Sequence, residues 1–186
     1  MALARQHNTS IISADSRQCF RELNIGVAKP SPAELKEIRH YFINSHSIHD
    51  TVTAATFADY AEAALQEIFA DSDVAVMAGG TGLYIKAFLE GFDEIPEVPA
   101  SLRQTIRDDF NTKGMEWLKN EVRVNDPVYF QQGETTNPQR MMRALEVKLA
   151  TGKSIRDFQT SSRKTRDFTV ENIAIEPPRE QLYQNI

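Results

Sequence analysis

Asp73-Val74-Ala75-Val76-Met77-Ala78-Gly79-Gly80-Thr81-Gly82-Leu83-Tyr84 decides the fold class. A short apolar run ends in two glycines and passes into a segment of helical character that stops at Gly91. Such a run, followed by glycines and a helix, is the strand–loop–helix unit of a parallel α/β sheet. A second strand is expected upstream, in Ser10-Ile11-Ile12-Ser13-Ala14, and it opens directly into the polar turn Asp15-Ser16-Arg17-Gln18. A carboxylate at the C-terminal end of a strand lies where open α/β sheets place their ligands.

Between these two strands, Pro30 and Pro32 break the chain before a short turn at 34–39, and Tyr41-Phe42-Ile43 is a further strand candidate. Phe57, Ala61, Ala64, Leu65 and Ile68 recur at helical spacing and predict an amphipathic helix over 57–70, with Thr53 or Thr56 as its cap. Residues 2–6 read as the last turn of a helix that ends at His7-Asn8. The texture changes after Gly91. Residues 92–100 carry Pro96 and Pro99 among acidic side chains, which marks a boundary, and the pattern beyond is helical over 102–110, 115–122, 138–150 and 154–158. Strand character returns at 168–175, and Pro177-Pro178 precedes the start of a helix that reaches Ile186. The expected organisation is an α/β core fragment at 1–97, a helical insertion with its return helix at 98–160, and a return to the α/β core at 161–186.

Totals narrow the class. A chain of 186 residues with 41% apolar and 25% charged residues is an ordinary soluble globular protein with one full-sized core. Cys19 is the only cysteine, so no internal disulfide forms and a reducing, cytoplasmic setting is expected. No apolar run approaches bilayer length and the N-terminus has no signal-peptide pattern, so no membrane partner is expected. The net charge of −5 argues against a general nucleic-acid coat, yet it conceals an asymmetry. Residues 139–166 hold eight Lys or Arg against Glu146 and Asp157, a local +6 that leaves −11 for the remainder. A basic segment on an acidic body fits a localised anionic partner, or a solvated helix face.

Each motif has two readings. Gly79-Gly80-Thr81-Gly82 before a helix N-terminus can hold an anionic group with free N–H groups and the Thr81 hydroxyl, or can simply be a tight turn. Asn137-Pro138-Gln139-Arg140-Met141-Met142-Arg143 starts a helix with Asn at the cap and Pro at the first position. Gln139, Arg140 and Arg143 then share one side of its first turns, either as a phosphate clamp or as partners for acidic residues of the sheet domain. Asp15 is either a general base beside base-edge donors or the cap of a turn. Gly152-Lys153-Ser154 follows a helix and has Val147 where a phosphate loop needs its first glycine, so Gly152 reads as a helix C-cap. His46 and His49 belong to no cluster with metal-ligand spacing and read as polar loop residues, and Trp117 reads as core.

Taken in order, Ile12-Ser13-Ala14-Asp15-Ser16-Arg17-Gln18, Asn24-Ile25-Gly26-Val27-Ala28-Lys29-Pro30, Gly79-Gly80-Thr81-Gly82-Leu83-Tyr84 and Asn137-Pro138-Gln139-Arg140-Met141-Met142-Arg143-Ala144-Leu145-Glu146 strongly resemble the tRNA dimethylallyltransferase (isopentenyl transferase) family over essentially the whole chain. The resemblance implies an incomplete phosphate-loop-kinase-like parallel α/β sheet with an inserted helical domain that grips the anticodon stem-loop. It implies transfer of a dimethylallyl group from dimethylallyl diphosphate to N6 of adenosine 37 in tRNA, with Mg2+ and release of pyrophosphate, by a monomer. Asp15 matches the family's catalytic aspartate, the general base at that N6. Ser16, Arg17 and Gln18 complete one matching tRNA-contact segment, Gln139, Arg140, Met141, Met142 and Arg143 match the second, and Thr81 and Arg103 match two further positions that face the tRNA.

The sequence also departs from the family. Members carry a strand and a Gly-x-[Ser/Thr]-x-x-Gly-Lys-[Ser/Thr] loop about a helix length before the position of Asp15, and only the tail of that helix stands here, as Ala2-Leu3-Ala4. That loop would cradle the diphosphate and supply Lys and the Mg2+-binding hydroxyl. Members also continue beyond Ile186. The expectation is a partial chain, inactive as given for want of its phosphate site and exposing an apolar sheet edge. Two alternatives stand beside it: a noncatalytic RNA-binding remnant, and a phosphate-loop relative such as a nucleotide kinase or an isopentenyl transferase acting on free adenine nucleotides.

Overall fold

A computed structural model describes residues 1–91, 93, 95–159 and 164–184. Its centre is a parallel sheet of three short strands, β1 (Ile11–Ser13), β2 (His40–Tyr41) and β3 (Val76–Ala78), in the order β2-β1-β3. Ile11 and Ile12 pair with His40 and Tyr41 on one side, and Ile11, Ile12 and Ser13 pair with Val76, Met77 and Ala78 on the other. All three residues of β1 are buried, as the middle strand of a covered parallel sheet requires. β3 is an edge strand among the described residues, and its burial falls away along its length until Ala78 is exposed.

Helices form where caps and apolar spacing agree. The short α1 (Ala2–Gln6) buries Ala4 against Ile11 and Ile38. α2 (Pro32–Glu37) starts from a capping box between Ser31 and Glu34. α3 (Ala54–Phe69) is capped by Thr53 with Thr56 closing the box, and it buries the five apolar residues that predicted it. α4 (Gly82–Glu90) packs against α3 and ends at Gly91, whose φ of 83° suits glycine. Together they cover Ile12, Ala14, Cys19, Tyr41 and Phe42 in one core.

A second core is wholly helical. α5 (Ala100–Asn125) joins the two expected helices across a break at Gly114, where φ is 76°. α6 (Pro127–Gln132), α7 (Pro138–Thr151) and α8 (Ile155–Phe158) complete it, around Ile106, Leu118, Val122, Tyr129, Met141, Leu145 and Val147. Sequence reading overlooked α6, although Asp126-Pro127 is a cap-and-proline start. Asp126 is 1% exposed and both its oxygens are used: Oδ1 accepts from the Tyr129 N–H at 2.9 Å and Oδ2 from the Ser154 hydroxyl at 2.8 Å. A buried carboxylate so satisfied ties α6 to the start of α8. Gly152 closes α7 in the left-handed conformation, as expected of a C-cap.

Two strand expectations need correction. β2 stops after Tyr41 because Phe42 turns to φ 62° and buries its ring against Phe57, Tyr60 and Tyr84. Aromatic packing outweighs the strand preference there. Residues 168–175 form no strand; Phe168 packs on Phe88 and Phe69, while 169–184 are exposed. Strand-forming side chains gain nothing without a neighbouring ladder and a core face to meet. The chain does return to the sheet body at 164–168: the Lys164 N–H donates to the Glu90 carbonyl at 2.9 Å, and Lys164 and Arg166 both pair with Glu62. Arg166 also donates to the Phe88 carbonyl and lies over the Phe88 ring. The last described element is α9 (Arg179–Gln184), which follows Pro177-Pro178 as expected. The expected boundary at 160/161, the start of the 92–100 boundary segment and the chain end at Ile186 lie outside the described residues. Among the described residues no helix is long and apolar enough to cross a membrane.

Candidate functional site

The C-terminal ends of β1 and β3 meet at Asp15. Ala14 donates to the Ala78 carbonyl at 2.8 Å, and its own carbonyl accepts from the Thr81 N–H at 3.1 Å. Gly79 lies between these bonds, where a Cβ would stand 2.4 Å from both the carbonyl carbon and the oxygen of Ala14. Only glycine allows this approach. The crossing brings Thr81 to Ser16, whose N–H donates to the Thr81 Oγ1 at 3.1 Å. Asp15, Ser16 and Thr81 therefore come together.

The Asp15 carboxylate does two things at once. Oδ1 accepts from the N–H groups of Arg17 and Gln18, at 2.8 and 3.2 Å, which is the turn-capping reading. Oδ2 accepts no hydrogen bond among the described residues. The cap fixes one oxygen and presents the other. The Gln18 amide is already committed: Oε1 accepts from the Ser13 hydroxyl at 2.8 Å, and Nε2 donates to the carbonyls of Val27 and Ala28. Arg17 is exposed and its guanidinium has no partner among the described residues.

Gln18 and Lys29 fold the 24–30 segment onto this turn. The Lys29 ammonium, quoted in the sequence motif without a role, donates to the Phe20 carbonyl and the Asn44 side chain at 2.6 Å each. His46 helps hold the same loop, its N–H donating to the Cys19 carbonyl at 2.9 Å. The result is a cleft of about 380 Å³ whose lining includes Asp15, Gln18, Ala28, Lys29, His40 and Gly79. A larger cleft of about 530 Å³ lies among α1, α2 and α3, but its arginines are spent on each other's neighbours, Arg5 on Glu37 and Arg39 on Glu67. Only the smaller cleft combines a strand-end carboxylate with an uncommitted oxygen. Beneath it, burial pushes the Cys19 thiol and the Tyr84 phenol above their ordinary values, with the negative charge of Asp15 adding to both. No group of three His, Cys, Asp or Glu able to hold a metal ion exists among the described residues.

The second group of predicted residues sits in the helical core. The Asn137 side chain accepts from the N–H groups of Gln139 and Arg140 at 3.0 and 3.3 Å, so α7 starts as its sequence dictates. Gln139 and Arg140 are exposed on that first turn. Met141 and Met142, at 0% and 6% exposure, face the core and offer no side-chain surface. Arg143 does not pair with the sheet domain. It donates to Glu146 on its own helix at 3.2 Å, and Arg103 of α5 approaches the same carboxylate oxygen at 3.7 Å. The structure thus brings Arg103 and Arg143 together through Glu146, a link that sequence spacing gave no means to find. No described hydrogen bond or ion pair joins this group to Asp15, Ser16, Arg17, Gln18 or Thr81.

A family model described as IPP transferase matches residues 18–186. A tRNA dimethylallyltransferase of Cytophaga hutchinsonii is 39% identical over 186 residues, covering all of this chain and 61% of that protein. One of Flavobacterium psychrophilum is 40% identical over 192 residues, covering all of this chain and 62% of that protein. The chain thus spans about three fifths of the length of these curated relatives. Among solved structures, a tRNA delta(2)-isopentenylpyrophosphate transferase from Staphylococcus epidermidis is 27% identical with a TM-score of 0.54, covering 99% of this chain and 60% of that one. A eukaryotic dimethylallyltransferase acting on tRNA aligns with a TM-score of 0.68 over 87% of this chain and 41% of its own, at 21% identity, a likeness that speaks for the fold alone. The parallel sheet with its glycine turn is therefore that of a phosphate-loop-kinase-like fold. The chain belongs to the IPP transferase family.

Proposed function

We propose that this chain acts in the transfer of a dimethylallyl group from dimethylallyl diphosphate to N6 of adenosine 37 in tRNA, with Asp15 as general base. The observation that carries the reading is the Asp15 carboxylate, with Oδ1 tied to two backbone N–H groups and Oδ2 uncommitted at the cleft. As N6 bonds to the allylic carbon, the bond from that carbon to the diphosphate oxygen breaks and pyrophosphate leaves. The proton shed by N6 passes to Oδ2. An exocyclic amine is a weak nucleophile, and a positioned base is worth about 10² to 10⁴ in rate. The adenine must leave its stack to reach the cleft, a cost met by contacts elsewhere on the RNA.

Those contacts are assigned to Ser16, Arg17 and Thr81 at the turn and to Arg103, Gln139, Arg140 and Arg143 on the helices, with the helical core at 98–160 as the RNA-gripping insertion and 1–97 with 161–186 as the α/β core. Gln18 serves by locking the 24–30 segment, and Met141 and Met142 serve by seating α7. Mg2+ would neutralise charge on the diphosphate, with the hydroxyl of the family's phosphate loop as its expected protein ligand. A cytoplasmic monomer completes the reading.

The test supplies labelled dimethylallyl diphosphate and Mg2+, with either an anticodon stem-loop carrying adenosine at position 37 or free AMP, to this chain and to the same chain joined to a family phosphate-loop segment. Label on the stem-loop and not on AMP is the result expected of the joined protein, and no label is expected of this chain by itself. Comparable labelling of AMP would favour a transferase for free adenine nucleotides. Stem-loop binding with no transfer by the joined protein would favour a noncatalytic RNA-binding role.

A further inference from the structure

Glu146 sits where an RNA-binding surface should least tolerate it. It is an acidic residue between two arginines assigned to a polyanion, and its side chain is 14% exposed against 35% for Arg143 and 45% for Arg103. One oxygen, Oε2, lies 3.2 Å from Nη1 of Arg143 and 3.7 Å from Nε of Arg103. The carboxylate is therefore the inner member of the trio and the guanidinium groups the outer ones. Each arginine comes from a different helix, Arg103 from the first turn of α5 and Arg143 from the second turn of α7. Glu146 is the sole described partner of either guanidinium, so most of their N–H donors stay available.

Resting on the RNA reading above, we infer that Glu146 is a positioning residue that holds Arg103 and Arg143 side by side as a two-pronged clamp for one phosphodiester of the RNA. Two guanidinium groups this close repel each other, and the carboxylate beneath them offsets that repulsion without occupying their outer faces. The trio keeps a net charge of +1, which an incoming phosphate neutralises. Planar forks fixed in advance lose less freedom on meeting a phosphate than two independent side chains would.

Two effects of Glu146 on binding have opposite signs, and that makes the inference testable. As a bare negative charge it repels RNA, so its removal should tighten binding. As a positioning group its removal should loosen binding. Stem-loop affinity is measured across a salt series for the unmodified chain and for Glu146→Gln, Arg103→Ala, Arg143→Ala, the Glu146→Gln/Arg103→Ala pair and the Arg103→Ala/Arg143→Ala pair. Glu146→Gln is expected to bind about fivefold more weakly, the loss of one exposed charged contact, and to lower the salt slope by about 0.7 to 0.9. In the Arg103→Ala background there is no pair left to align, so Glu146→Gln should no longer weaken binding. Arg103→Ala and Arg143→Ala should lose less together than the sum of their separate losses, a readout that holds even if Glu146→Gln fails to fold. Binding by a folded Glu146→Gln that equals or exceeds that of the unmodified chain overturns the inference. Additive losses in the two arginine variants overturn it as well. Failure of the RNA reading itself looks different: the unmodified chain and every variant would then show the same absence of stem-loop binding.

Discussion

At Gly79 a methyl group would collide with the backbone of Ala14, 2.4 Å from atoms that cannot move without parting β1 from β3. Gly79→Ala is therefore expected to cost more than about 2 kcal/mol, read as a lower denaturation midpoint. A neutral effect would mean that the strand ends are not held this closely. The glycine pair was legible in the sequence as a turn. Its cause was not, because it needs the knowledge that β1 and β3 are neighbours although Ile12 and its ladder partner Met77 are 65 positions apart in the chain. Asp15 teaches a related lesson. Its two sequence readings, turn cap and presented base, exclude each other only if the carboxylate is treated as one group. With Oδ1 and Oδ2 in different surroundings, the cap is what aims the base.

At the scale of elements, α7 separates residues that hold from residues that face outward. Met141 is 0% exposed among Leu118, Val122 and Leu145, and Arg140 stands on the exposed side one position away. Met141→Ala should destabilise the chain by about 2–4 kcal/mol while leaving the salt slope of stem-loop binding unchanged. Arg140→Ala should leave the denaturation midpoint within about 0.5 kcal/mol and lower that slope by about 0.7 to 0.9. The reverse pattern would place the RNA surface elsewhere. The sequence pattern that named Gln139 to Arg143 as one contact segment could not divide it, since which face of α7 is buried depends on α5 packing against it. α3 and α7 were legible from caps and spacing, and α4, whose Thr81 makes no side-chain cap, from the glycines that bracket it, because these are local signals. The expected strand at 168–175 failed for the opposite reason, as a strand is specified by what lies beside it.

On the scale of the molecule, two separate cores are joined by chain that returns at 164–168 to clip onto α3 and α4. Glu62 anchors the clip. The hydrogen bond from Arg166 holds its carboxyl below the ordinary value of 4.5, against the opposing effect of burial, and Lys164 adds to the lowering. A lowered carboxylate contributes stability that is full above pH 4.5 and is lost as pH falls through the folded-state value. The Lys164 amide, bonded to the Glu90 carbonyl, should thus lose hydrogen-exchange protection in acid, after correction for the intrinsic rate. Glu62→Gln should show reduced protection already at neutral pH and little further change. Identical pH profiles in the two proteins would show that the ion pair does not hold the clip.

The most direct test of the central claim is a single-turnover transfer of labelled dimethylallyl diphosphate to an adenosine-37 stem-loop, comparing the chain joined to a family phosphate-loop segment with the same joined protein carrying Asp15→Asn. Asparagine keeps the Oδ1 cap and removes the proton acceptor, so the account predicts a rate at least about 10²-fold lower with stem-loop affinity within about threefold. Transfer by Asp15→Asn at the unmodified rate would contradict it.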